Sequence, residues 1–71
     1  MNERPTLALD DELLPPPSAA KALRVSLSWL AKARLHGDGP RYIKIGRSVR
    51  YARSYLREYL RARTRSSTAE I

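Results

Sequence analysis

The sequence predicts a small, mainly α-helical domain that carries one β-hairpin. Three observations support this. "LLPPPSAAKALRVSLSWLAKARLHGDGP", residues 13–40, holds two short apolar-periodic segments with only Arg24 and Val25 between them. "RYIKIGRSVRY", residues 41–51, alternates apolar and polar residues on either side of a glycine, as two strands and a turn do. "RSYLREYLRAR", residues 53–63, returns to helical spacing.

Taken in order, residues 1–12, "MNERPTLALDDE", show no sustained period and are expected to form a flexible acidic lead, in which "TLAL" offers a short strand. The first helix is expected from about Pro16 to Leu23, since prolines suit a lead-in and first turn but no interior position. Leu14, Ala20 and Leu23 form its inner side. The "PPP" run lacks the PxxP spacing of a polyproline ligand. Ser26 is the expected N-cap of the second helix. There Leu30 and Ala33 face inward, while Ser28, Trp29, Lys32 and His36 point outward or to the flank. Gly37 can take positive φ and Pro40 forbids continuation, so "GDGP" ends the helix.

For the hairpin, alternation puts Arg41, Ile43 and Ile45 on one face of a first strand and Tyr42 and Lys44 on the other. A two-residue loop pairs Lys44 with Val49 and Ile43 with Arg50, which mixes the faces. A three-residue loop, Gly46-Arg47-Ser48, pairs Ile45 with Val49, Ile43 with Tyr51 and Lys44 with Arg50. The expectation is the second register, with the apolar residues against a core, Lys44 across from Arg50 and Arg47 at the tip. Like charges facing each other cost up to about 1 kcal/mol unless an anion lies over them. In the last helix Leu56, Tyr59 and Leu60 make an i, i+3, i+4 core stripe. Arg53, Arg57 and Arg61 stack beside it with only Glu58 to relieve them. Residues 64–71 read as a flexible tail, leaving residues 13–63 as the domain.

The 71 residues carry a formal charge of +7, unevenly placed. In residues 1–20, Arg4 stands against Glu3, Asp10, Asp11 and Glu12; in residues 21–65, thirteen Lys and Arg stand against Asp38 and Glu58. Such a basic body is the footprint of a polyanion binder. With no cysteine there is no disulfide, thiolate metal site or thiol nucleophile. The only histidine, His36, sits at a helix end, and no phosphate loop, ligand cluster or nucleophile–base pair can be assembled. The expectation is a protein without catalysis or cofactor. No apolar run nears the roughly 18 residues of a membrane span, and no basic-then-apolar leader is read, so a cytoplasmic location is expected.

Two helices in tight succession, a basic hairpin and a closing helix have the order of a winged helix-turn-helix. Residues 13–63 resemble the small excisionase-like proteins related to AlpA-type and MerR-like winged domains. The resemblance rests on Ala19–Ala20, the corner Leu23 to Ser26, Leu30, the wing "GPRYIKIGRSVRY" and the closing Leu56, Tyr59 and Leu60. This chain departs from the pattern at Pro15, where a capping threonine is usual, and at Arg24, where the corner usually has glycine. Ala31 and Ala33 replace bulkier side chains, and Trp29 stands in place of a small polar residue. Trp29 therefore either packs partly inward or meets DNA.

The arrangement implies double-stranded DNA as partner. The second helix would enter the major groove with Ser28, Trp29 and Lys32 at base edges and Arg34 on the backbone. Lys44, Arg47 and Arg50 form the wing contacts, Arg47 in the minor groove. Ser26, Arg53 and Arg57 are the further phosphate contacts. The resemblance implies an excisionase, a recombination directionality factor of a bacterial, nucleoid-associated kind. It would bind repeated sites side by side through self-association, bend DNA and bias a tyrosine or serine integrase toward excision of a mobile element. An AlpA-like transcriptional regulator is the alternative. A protein-interaction adaptor or antitoxin-type module, and an RNA binder using Tyr42 and Trp29, are the others.

Overall fold

The structure, a computed structural model, describes residues 11–66. The lead before Asp11 with its "TLAL" strand, and the tail after Ser66, lie outside the described residues. Within them the chain forms β1 (Leu13–Leu14), α1 (Pro16–Leu23), α2 (Leu27–His36), β2 (Ile43–Ile45), β3 (Ser48–Ala52) and α3 (Arg53–Arg63). This is the mainly α, winged layout that the sequence predicts.

Both helices of the first pair end where local chemistry ends them. At the close of α1, Val25 N–H donates to Ala20 O at 3.0 Å and Arg24 N–H to Lys21 O at 3.1 Å. That is a Schellman cap, which requires a left-handed residue at the corner. Arg24 supplies it, with φ 61° and ψ 42°. A side chain in this conformation costs about 1–2 kcal/mol. Val25 offsets part of that by packing against the core. α2 starts at Ser26, whose Oγ accepts from Trp29 N–H at 2.9 Å. It ends in a second Schellman pair, Asp38 N–H to Ala33 O and Gly37 N–H to Arg34 O, with Gly37 at φ 78°.

The core comprises Leu14, Ala19, Ala20, Leu30, Tyr51 and Leu56, with Leu23, Val25 and Val49 packed against it. Ala19 and Ala20 let α1 approach α2 and β3 closely. Fully burying a Leu30- or Leu56-sized side chain contributes about 1.5–3 kcal/mol. The first-strand segment Leu13–Leu14 has no sequence signal of its own. It exists because β3 pairs with it, Leu14 opposite Tyr51 and Leu13 opposite Ala52.

The three-stranded antiparallel sheet has the order β1-β3-β2. Its hairpin register differs from the expected one. Ile43 pairs with Arg50, Lys44 with Val49 and Ile45 with Ser48, so the loop is the two residues Gly46-Arg47. Gly46 has φ 61° and Arg47 does not have positive φ, the glycine-first pattern of a type II′ turn, whose twist suits adjoining strands. Consequently Tyr42, Lys44, Val49 and Tyr51 share the inner face, and Ile43, Ile45 and Arg50 share the outer one. Lys44 and Arg50 do not face each other. Ile45 is 56% exposed and Ile43 half-buried, so neither isoleucine fills the core as expected. The inner face needs only Tyr51 and Val49 for packing, and Lys44, at the rim, stays exposed along its long stem. In α3, Leu56 is buried but Leu60 is 50% exposed, so the expected stripe reaches the core through Leu56, with Tyr59 only half-buried.

Two substitutions test this packing. Arg24→Gly removes the corner strain and is expected to stabilise by about 0.5–1 kcal/mol, a rise of several degrees in Tm by calorimetry. An unchanged or lower Tm contradicts the strain. Gly39→Ala places a Cβ 2.9 Å from Ala33 Cβ, beneath the loop leaving α2. It is expected to cost about 1–3 kcal/mol in urea denaturation.

Candidate nucleic-acid interface

The outward side of α2 follows from its inward side. Leu30 and Ala33 are buried, so the helical period turns Ser28, Ala31, Lys32 and Leu35 directly away from the core. All four are exposed, and Leu35 reaches 81%. Of the residues assigned to this helix from sequence, Ser28 and Lys32 are therefore on the free face.

Trp29 and Arg34 lie on the two flanks instead. Trp29 is 42% exposed. With Lys32 and His36 it lines a shallow groove of about 250 Å³ against Tyr59 and Arg63 of α3. Arg63 closes that groove by stacking over Tyr59, 4.2 Å from the ring centroid, and by donating to Asp38 O at 3.3 Å. Arg34 turns toward the sheet. Its Nη1 donates to the Tyr51 hydroxyl at 3.0 Å, and its guanidinium stands 5.8 Å from the Tyr42 ring centroid. Tyr42 in turn lies 6.3 Å from Tyr51, ring to ring. Arg34 thus satisfies the polar end of a fully buried tyrosine and bridges α2 to β3 and to Tyr42, the residue just before β2.

On the wing, Arg47 occupies the exposed tip beside Gly46. Lys44 is exposed on the inner-face rim. Arg50 is half-buried on the outer face, where its Nη1 donates to Val49 O at 2.8 Å. Lys32, Lys44 and Arg47 have no hydrogen-bond or ion-pair partner among the described residues.

The remaining predicted contacts are more dispersed. Ser26 is exposed but its hydroxyl serves the α2 cap. Arg53 begins α3, where Ala52 offers no side-chain cap. Glu12 and Asp11 supply what is missing from outside the helix. Glu12 O accepts from Arg53 N–H at 2.9 Å, Glu12 Oε1 pairs with Arg53 Nη2 at 2.9 Å, and Asp11 accepts from the Ser54 hydroxyl. This acidic pair relieves the arginine ridge, a contact that sequence spacing of 41 and 43 residues concealed. Arg57 lines a second groove with Ala22, Leu23 and Leu60, on the α1 side of α3 rather than the α2 side. Sequence reasoning missed Ala31 and Leu35. The signal was available, since both lie opposite Leu30 and Ala33 on the helical wheel.

Among the described residues no group of His, Asp and Glu is placed to hold a metal, and no helix is long and apolar enough to cross a membrane. No curated protein matches the chain. A family model described as Helix-turn-helix domain matches residues 13–64, which spans every element from β1 to α3. With the two helices in tight succession and the wing, the chain belongs to the helix-turn-helix domain family, which covers the AlpA- and excisionase-like small DNA-binding proteins.

Proposed function

We propose that the protein is an excisionase-type recombination directionality factor that reads double-stranded DNA with α2 and its wing together. Ser28 and Lys32 face base edges in the major groove, with Trp29 at the flank toward α3. Arg47 enters the adjoining minor groove, where narrow A·T-rich stretches concentrate negative potential. Ser26, Lys44, Arg50, Arg53 and Arg57 hold phosphates around them, Arg53 by exchanging Glu12 for a phosphate oxygen. Arg34 acts from behind, fixing α2 to the wing. The observation that carries this reading is the Arg34–Tyr51–Tyr42 contact, which locks the exposed face of α2 and the Arg47 turn into one body.

A module this small buries about 600–1,000 Å² on DNA, too little for tight solitary specificity. Several copies therefore bind repeated sites side by side, bend the duplex and shift an integrase toward excision without strand chemistry of their own. A transcriptional regulator of the AlpA kind uses the same surface. An excision assay with a tyrosine or serine integrase and its attachment sites separates the two: added protein raises excision in the first case and changes only promoter activity in the second.

Neutralising about 5 to 7 phosphates gives a slope of log K against log salt near −5. Lys32→Ala with Arg47→Ala is expected to weaken duplex binding at least tenfold in a gel shift, with the circular dichroism spectrum unchanged. A flat salt response, or unaltered binding by the double variant, removes the groove reading.

A further inference from the structure

The outward face of α2 is less polar than a helix exposed only to water. Leu27 is 50% exposed, Ala31 is exposed and Leu35 is 81% exposed, and they stand at i, i+4 and i+8. Leu35 makes no contribution to the core. Ser28 and Lys32 interleave with this strip on its outer side. Arg24 stands exposed at the corner just before α2. An apolar protein partner would have to bury Lys32 without a counter-charge, at substantial desolvation cost. A surface that is polyanionic overall, with small apolar spots set within it, meets both requirements.

The DNA major groove has that character: its floor carries one kind of apolar group, the C5-methyl of pyrimidines, between walls of phosphate. Resting on the placement of α2 in that groove, we infer that Ala31 and Leu35 are specificity-determining residues that contact the C5-methyl groups of thymines. Lys32 and Ser28 take the polar edges of the neighbouring bases. The bound site then requires thymine at the positions beneath the second and third turns of α2. It discriminates against uracil, which pairs identically and lacks only the methyl.

The test uses the full chain and a duplex recovered by selection from a random library. The duplex is resynthesised with deoxyuridine at each thymine in turn, and with 5-methylcytosine replacing cytosine as a second source of the same group. Wild-type protein is expected to lose about three- to fivefold in affinity at one or two positions, the scale of one buried methyl. Leu35→Ala, whose side chain supports no core contact, is expected to lose the thymine preference at the position beneath Leu35, to keep it at the position beneath Ala31, and still to bind DNA. Equal binding of both duplexes by the wild type overturns the inference and leaves the groove reading standing. So does a selected site without thymine. Absence of any duplex binding overturns both.

Discussion

Tyr51 is the constraint around which the domain is arranged. Its side chain is fully buried near the end of β3, and the direction it points fixes the inner face of that strand. Leu14 is drawn into pairing on one side of it, and Tyr42 is brought against it from the other. A buried phenol still needs a partner for its hydroxyl, and Arg34 reaches across from α2 to provide one. One aromatic residue thus ties the sheet, the wing and the second helix together. This matters in a chain whose core is so small.

The same placement explains what was legible in the sequence and what was not. The helices were, because their limits are local. Proline opens α1, Ser26 caps α2 and Gly37 closes it, and the corner strain at Arg24 follows from its missing glycine. The hairpin was legible as an element but not in register. The two isoleucines of β2 look like the residues that belong inside, yet with Tyr51 inward in either register it is the length of the turn that decides which face of β2 joins it. Once Tyr51 is in, a two-residue turn puts Tyr42 and Lys44 on the inner face and leaves Ile43 and Ile45 outside. β1 was invisible for a related reason, being two residues that are extended only because β3 offers them partners.

The charge pattern divides in a way that sequence spacing does not reveal. Some cations are spent on the fold. Arg34 serves Tyr51, Arg53 is held by Glu12, Arg63 stacks on Tyr59, and Arg41 lies 5.9 Å over the Tyr55 ring. Such cation–aromatic contacts extend a small apolar core at its edges. Others, Lys32, Lys44 and Arg47 among them, remain exposed on α2 and the wing. The high net charge is thus divided between holding the domain together and presenting a surface. The helix-turn-helix family to which the chain belongs supports DNA binding.

The central claim is that the outer face of α2 and the Gly46–Arg47 turn meet one duplex as a rigid unit. Titration of isotopically labelled protein with a selected duplex, followed by amide chemical shifts, tests it most directly. The account predicts that the largest changes fall on Ser28 to Leu35 and on Gly46 to Ser48, in step with each other across the titration. Changes concentrated instead at Ala22, Leu23 and Leu60, with α2 and the turn unmoved, would contradict it.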